Sequence, residues 1–176
     1  MEELIIRRAE LNDLEKVMNF YYELIDDMQN MEYKVLWQKD VYPTKQFIQN
    51  SIINNELVIA IINNAIIGSM VMNQNVAEGY SKVQWKIQAK NNEIIIIHAL
   101  AISAKHQKKG MAKKMVKYCM EYCKENNIKA IRLDVLNQNV PAHHLYTKMG
   151  FAYIDKIQLF YEDTGLTDFV LYELVL

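Results

Sequence analysis

The 176-residue sequence has little cysteine, proline or glycine, with two, two and five residues respectively. Two cysteines exclude a disulfide framework, and Cys119 and Cys123, four residues apart in a helical pattern, are predicted to be reduced core thiols. Scarce proline and glycine predict long regular elements with few loose loops. With 51% hydrophobic and 23% charged residues the composition is that of a globular protein, which argues against disorder and collagen-like repeats.

The sequence also lacks an excess of either charge and a long hydrophobic run. Twenty basic and 21 acidic residues give a net charge of -1, which argues against a general nucleic-acid-binding protein. The longest apolar run, around Ile94 to Ile102, falls short of the roughly 18 residues of a membrane span. Arg7 and Arg8 interrupt the first apolar run, so no secretory signal is expected. The sequence predicts a soluble, cytoplasmic protein without a membrane or nucleic-acid partner.

Hydrophobic periodicity predicts one domain over residues 1–176 with the order β-α-α-β-β-β-α-β-α-β-β. The predicted strands are 4–8, 57–62, 65–72, 93–103, 130–136, 151–161 and 167–176. Predicted helices begin at a cap on Asn12, after Pro43, near Met111 and near Val140. A hairpin followed by strand-helix-strand crossovers favours a mixed α/β (α+β) sheet with helices on both faces.

The predicted central strand is followed by a basic segment at the start of a helix. Lys108, Lys109, Gly110 and Lys113 are predicted to lie in the first turn of that helix. A helix N-terminus carries partial positive charge, so lysines are unfavourable there unless an anion binds. Gly110 would allow a ligand to approach the backbone closely, which favours a pyrophosphate site. A solvated basic helix face is the alternative.

Two motifs in this region resemble those of the GNAT N-acetyltransferases. The segment from Gln107 to Ala112, Gln-Lys-Lys-Gly-Met-Ala, is similar to the family's Q/R-x-x-G-x-G/A motif. A second segment, from Asn139 to Phe151, matches the family's N-x-x-A-x-x-L-Y-x-x-x-G-F pattern. Ala112 replaces the commoner second glycine, and Lys108 stands where glycine or arginine is frequent. The order and the separation of the two motifs are those of the family.

The resemblance implies the GNAT fold, with splayed central strands, and acetyl-CoA as co-substrate without a metal. Backbone groups of Leu100 and Ile102 would bind the pantetheine arm, and the Leu100 N–H could polarise the thioester carbonyl. Asn139 would also bind the pantetheine arm, and Tyr146 would lie near the sulfur. The pyrophosphate would be bound by Gln107, Lys108, Lys109, Gly110, Met111, Ala112 and Lys113.

The resemblance also implies direct attack of a primary amine on the thioester, with Tyr146 as the acid that protonates the departing thiolate. An alkylammonium with a pKa near about 10 must lose a proton, and an imidazole with a pKa near about 6.5 can accept one. His98 is the predicted base, because His98-Ala-Leu-Ala is similar to a segment of the arylalkylamine N-acetyltransferases. Glu93 and Asp134 are alternative bases. The adjacent His143 and His144 diverge by about 100° on a helix, so no metal site is predicted.

The acceptor is predicted only as a class, a small-molecule amine or a peptide amine. Four aromatic residues lie in segments that cover the acceptor site in this family: Tyr33, Trp37, Tyr42 and Trp85. Each of them shapes that site or, as the alternative, packs in the core. A non-catalytic acyl-CoA-binding or sensing module is the alternative function. The oligomeric state is left open, a homodimer included.

Overall fold

The computed structural model describes residues 3–176, which form seven strands and four α-helices. The strands are β1 (Leu4–Arg8), β2 (Leu57–Ile62), β3 (Ala65–Asn73), β4 (Ile94–Ile102), β5 (Ala130–Leu136), β6 (Ala152–Tyr161) and β7 (Gly165–Val175). The helices are α1 (Leu14–Met28), α2 (Lys45–Ile53), α3 (Met111–Glu125) and α4 (Val140–Lys148). The element order is the predicted one, and each predicted strand is present within a few residues of its expected bounds.

The seven strands form one mixed sheet in the order β1-β2-β3-β4-β5-β7-β6. All neighbouring strands are antiparallel except β4 and β5, which are parallel and are connected through α3. Asn63 and Asn64 have positive φ angles of 50° and 63° in the tight turn between β2 and β3. The predicted mixed α/β fold is therefore confirmed.

Alternating side chains of the strands bury the two faces of the sheet against different elements. On one face, α1 and α2 pack against β2 and β3, and the segment that contains Tyr80 covers β5 and β7. On the other face, α3 and α4 pack against the centre of the sheet. Cys119 and Cys123 are buried free thiols in α3, as predicted, with their sulfur atoms 4.0 Å apart.

The central strands β4 and β5 separate part of the way along their length. They pair only from Ile94–Ala130 to Ile96–Arg132, although both strands continue for several residues. On its other side, β4 pairs with β3 across a register shift, where Ala99 has a left-handed φ of 50°. The splay implied by the resemblance is present, and it opens a cleft between the two strands.

Two predictions about helix starts are wrong. Asn12 does not cap α1: Leu11–Asp13 forms a 3₁₀ turn, and the Asp13 carboxylate accepts a hydrogen bond from the Glu10 N–H at 2.8 Å. Lys108 and Lys109 are not in the first turn of α3, because Gly110 has φ 78° and a left-handed residue cannot belong to an α-helix. The helix begins at Met111, and the two lysines belong to the preceding loop.

None of the helices within residues 3–176 has the length and apolar character that a bilayer span requires.

Candidate active site

A large groove lies between the end of β4, the start of α3 and α4. Its volume is about 800 Å³, and most of its walls are apolar side chains of these elements and of the segment after α1. Leu100, Ala101 and Ile102 form the wall contributed by β4, and Ala142, Leu145 and Met149 belong to the wall contributed by α4. The groove is long, apolar and open at one end toward the N-terminus of α3.

The α3 end of the groove presents unpaired backbone N–H groups. The first intrahelical hydrogen bond runs from the Lys114 N–H to the Gly110 carbonyl at 3.1 Å, so the amides of residues 111–113 have no acceptor within the helix. Lys108, Lys109 and Lys113 are exposed around this end. A Cβ atom on Gly110 would meet nothing within 4 Å, so lack of space is not what favours glycine here. The left-handed φ is the reason, because glycine adopts it without strain. Amides, helix dipole and lysines together form an anion-binding surface.

Two predicted cofactor-binding residues have structural contacts of their own. The Gln107 side-chain amide donates to the Ile102 carbonyl at 3.0 Å, which ties the loop to the end of β4. The Asn139 Oδ1 accepts from the Ala142 N–H at 3.3 Å and caps α4. The Asn139 side chain lines the groove, and its amide nitrogen is the group that remains for a ligand.

A smaller cavity of about 140 Å³ lies in the splay between β4 and β5, beside the groove. Its walls combine aromatic and aliphatic side chains, and the carboxylates of Asp134 and Asp163 are among the lining groups. The chamber and the groove meet at the six residues that line both of them: Val35, Trp37, Leu100, Asn139, Ala142 and Tyr146. The site is thus a long groove and a small chamber separated only by this shared wall.

Tyr146, on α4, lies at the junction of the two cavities. Its ring packs edge-on against Phe151, with 5.2 Å between ring centroids. Within residues 3–176, no side chain or backbone group forms a hydrogen bond with its hydroxyl. Burial raises the pKa of Tyr146, so the hydroxyl keeps its proton at neutral pH. A protonated hydroxyl at this junction is a suitable proton donor.

A hydrogen bond from α1 orients the backbone of β4 at the same junction. The buried Tyr21 hydroxyl donates to the Ala99 carbonyl at 2.7 Å. The carbonyl and the following N–H of a trans peptide point in opposite directions, so this bond directs the Leu100 N–H away from α1. Leu100 borders both cavities, so this part of the β4 backbone lies between them.

His98 lines the chamber, and its ring orientation is set by Asn73. The Asn73 side-chain amide donates to Glu56 at 3.2 Å, and its Oδ1 accepts from the Asn75 N–H at 3.0 Å. The His98 Nε2 lies 2.9 Å from this same Oδ1 and must therefore carry a proton. Desolvation lowers the pKa of His98 to about 4. His98 is neutral at pH 7, with Nδ1 as the nitrogen that can accept a proton.

Asp134 faces the chamber from β5. His98 and Asp134 each lie two residues beyond the last β4–β5 pair, Ile96–Arg132, and both line the chamber. The Tyr80 and Tyr161 hydroxyls donate to the two carboxylate oxygens at 2.6 and 3.2 Å. Burial raises the pKa of Asp134, while these two donors favour the charged carboxylate and oppose that shift.

The predicted acceptor-site aromatics are only partly in place. Trp37 and Tyr42 line the chamber, and Tyr33 lines the groove instead. Trp85 is in neither cavity, because its ring stacks on the Arg132 guanidinium, 4.3 Å from the ring centroid, and its N–H donates to the Tyr80 carbonyl. Trp85 is therefore a packing residue, which is the alternative that the sequence left open for these aromatics.

The alternative base Glu93 also lies outside both cavities. It precedes β4 at the far end of the strand, where it forms an ion pair with Lys129 at 2.7 Å. That hydrogen-bonded ion pair lowers the pKa of Glu93. Glu93 is a surface carboxylate with a structural partner and cannot serve the chamber.

Three polar residues of the chamber were not predicted from the sequence: Tyr161, Asp163 and Thr164. They lie at the hairpin that joins β6 to β7, which sequence reasoning identified only as a turn. No local motif marks them, and the pairing of β7 with β5 is what brings them to the site.

His143 and His144 do not act together. His143 contacts the Tyr172 hydroxyl at 2.8 Å and the Asn137 carbonyl at 3.0 Å, whereas His144 is exposed beside the groove. Within the part of the chain that the structure describes, no group of three or more His, Cys, Asp or Glu side chains could hold a metal ion.

The chain was compared with known protein families. The model of the acetyltransferase (GNAT) family matches residues 20–151, which is most of the chain. The protein therefore belongs to the GNAT family, whose members are N-acetyltransferases, and the family expected from the two motifs is confirmed.

Individual proteins are similar to this chain in sequence or in fold. The chain is 27% identical over 74 residues to the streptothricin acetyltransferase of Streptomyces lavendulae, and this match covers 42% of the chain and 39% of that relative. A GNAT-family acetyltransferase from Streptococcus agalactiae has a TM-score of 0.80 at 20% identity, covering 98% of this chain and 95% of the other. The Salmonella typhimurium protein yncA, solved with its cofactor acetyl-CoA, has a TM-score of 0.71 at 12% identity, covering 98% and 94%.

Proposed function

We propose that the protein transfers an acetyl group from acetyl-CoA to a primary amine by direct attack in a ternary complex. The observation that carries the proposal is the shared wall of groove and chamber at Leu100 and Tyr146. Substrates bound on the two sides would meet there, as direct transfer requires. Cys119 and Cys123 are buried in α3 and line neither cavity, so neither thiol is placed to carry the acetyl group.

The groove has the chemistry that acetyl-CoA requires. Its anion-binding end, formed by residues 107–113, would bind the pyrophosphate, and its apolar walls would contact the pantetheine arm. Backbone groups of Leu100 and Ile102 and the side-chain amide of Asn139 would hydrogen bond to that arm. The yncA protein, which has the same fold, was solved with acetyl-CoA, and this supports the assignment.

The residues at the junction would divide the proton transfers between them. Acetyl-CoA supplies the acetyl group, and the amine nitrogen bonds to its carbonyl carbon as the carbon–sulfur bond breaks. The Leu100 N–H would donate to the carbonyl oxygen, and Tyr146 would give its proton to the departing sulfur. His98, neutral at pH 7, stays the predicted acceptor of the amine proton through Nδ1. The acetylated amine and the CoA thiol leave, and solvent returns Tyr146 and His98 to their starting protonation states.

The acceptor is proposed as a small-molecule or peptide amine, within a single domain that spans residues 1–176. Streptothricin is a candidate for testing, because the S. lavendulae relative acetylates it by name. Release of the CoA thiol should be measured with streptothricin, simple amines, amino acids and peptides. Initial-rate lines that intersect as both substrates are varied would support a ternary complex. Tight acetyl-CoA binding without thiol release for any amine would favour a non-catalytic acyl-CoA-binding module.

The role of Tyr146 can be tested by removing only its hydroxyl. Tyr146→Phe keeps the packing against Phe151 and should lower kcat by roughly 10²- to 10⁴-fold. The Kd of acetyl-CoA should stay nearly constant, because the hydroxyl acts on the sulfur only during transfer. Tyr153→Phe, on an exposed tyrosine of β6, is the matched control and should leave kcat unchanged. An unchanged kcat for Tyr146→Phe would show that another group protonates the thiolate.

A further inference from the structure

The charges that line the chamber restrict which amines it can accept. Asp134 and Asp163 contribute two carboxylates, and His98 is neutral at pH 7. Among the described residues that line the chamber, none is a lysine or an arginine. A carboxylate on the acceptor would therefore find no cationic partner in the chamber and would be repelled by the carboxylates already there.

The position of Asp134 relative to the junction gives this charge a direct role. Asp134 and His98 stand on opposite sides of the splay, and the chamber between them opens toward Leu100 and Tyr146. An amine that reaches the thioester from the chamber is therefore in the cavity that these two side chains line. It is this connection to the donor groove, and not the presence of carboxylates alone, that makes the chamber an acceptor site.

The carboxylate of Asp134 is held in place and still has acceptor capacity. Tyr80 and Tyr161 each occupy one lone-pair position, at 2.6 and 3.2 Å, and a carboxylate offers about four. Tyr80 is itself held by Trp85, whose ring centroid lies 5.2 Å away. The carboxylate therefore has a fixed orientation before substrate binds, which limits the reorganisation that binding requires.

We propose that Asp134 binds the ammonium group of the acceptor, and that the chamber selects amines that have no carboxylate next to the amino group. The aromatic side chains of Trp37, Tyr42 and Tyr161 would contact the rest of the acceptor, and cation–π attraction would add to the preference for a cation. This inference rests on the proposed acetyltransferase activity and narrows its substrate class. Free α-amino acids are excluded as good acceptors.

The test compares acceptors that differ only in the carboxylate. Tyramine, tyrosine methyl ester and tyrosine form one series, and 2-phenylethylamine, phenylalanine methyl ester and phenylalanine form another. One added like charge a few ångströms from Asp134 should lower kcat/KM by roughly 30- to 100-fold. The amines should therefore be favoured over the free acids by that factor, and the esters, which hide the charge, should recover most of the activity.

Asp134→Asn tests whether this residue causes the selectivity. It keeps an oxygen for one tyrosine hydroxyl and should lower kcat/KM for the amines while reducing the ratio of amine to amino acid by at least tenfold. Asp155→Asn makes the same chemical change on the exposed face of β6 and should leave the ratio unchanged. A purely structural defect would lower the activity toward both acceptors together and preserve their ratio.

The outcomes separate this inference from the proposed function. Absence of thiol release with every amine would refute the acetyltransferase proposal itself. Acetylation of amines and amino acids at equal efficiency would leave that function standing and overturn the selectivity. An unchanged ratio in Asp134→Asn, with the amine preference intact, would overturn the assignment of the ammonium site to Asp134.

Discussion

The burial of His98 should make the stability of the protein depend on pH in a defined window. The ring lies against Asn73 within the chamber wall, and desolvation lowers its pKa from 6.5 to about 4. We consider His98→Gln, in which the new side-chain amide can still donate to Asn73 but cannot be protonated. The comparison isolates one titrating group from all the carboxylates that also change charge in acid.

The sign follows from where the proton binds. Between about pH 6.5 and pH 4 the unfolded chain holds a proton on His98 and the folded chain does not, so acid favours unfolding. The stabilisation is complete above pH 6.5 and is lost as the pH falls through about 4. A displacement from 6.5 to about 4 corresponds to about 3 kcal/mol in total, of which about 2 kcal/mol is lost between pH ~7 and pH ~4.5.

Urea unfolding followed by far-ultraviolet circular dichroism at these two pH values measures the effect. The wild-type protein should lose about 2 kcal/mol more unfolding free energy on acidification than His98→Gln does. Identical losses in the two proteins would refute the depressed pKa. The same pKa places any acidic limb of kcat/KM that His98 causes near pH 4, below the pH 6 to 7 expected of an ordinary histidine.

Three further substitutions test other parts of the structure. Tyr21→Phe removes the donor to the Ala99 carbonyl and should cost about 1–3 kcal/mol in unfolding free energy. The variant should also lower kcat more than it raises KM, and an unchanged kcat would argue against a role of Tyr21 in positioning the backbone. Arg132→Met leaves the buried Glu173 without its ion pair and should cost about 3–5 kcal/mol in urea unfolding, with Arg132→Met/Glu173→Leu regaining much of the loss. Gly110→Ala introduces a Cβ at φ 78°, with no atom within 4 Å for it to clash with, so any cost comes from the left-handed backbone alone. We expect a loss of about 1–2 kcal/mol in the same assay, and a neutral result would contradict backbone strain in the variant.

The groove proposed for acetyl-CoA could be predicted because its motif residues are close in sequence. The loop before α3 and the segment from Asn139 to Phe151 each form a short motif whose spacing is fixed by a helix start or a helix end. Local patterns of this kind are visible without knowledge of the topology. In the structure, Gly110 immediately precedes α3 and Tyr146 lies where the two cavities meet, while the roles of both residues toward acetyl-CoA stay predictions.

The acceptor side could not be predicted in the same way, because it is assembled from distant segments. Asp134 comes from β5, Tyr80 from the segment before β4, and Tyr161 and Asp163 from the β6–β7 hairpin. Only the strand pairing brings them together. One sequence signal did exist: Asp134 interrupts an apolar strand, and a charged residue in a buried strand requires partners. Trp85 illustrates the opposite case, because it lies in a segment expected to cover the acceptor site and packs on Arg132 instead.

The position of Trp37 gives the protein an intrinsic optical reporter. Trp37 borders both the groove and the chamber, while the second tryptophan, Trp85, lies over Arg132 in neither of them. Emission from Trp37 should therefore change when either substrate binds, against a nearly constant background from Trp85. Titrating each substrate alone and then in the presence of the other would give the order of binding and the coupling between the two sites without a label.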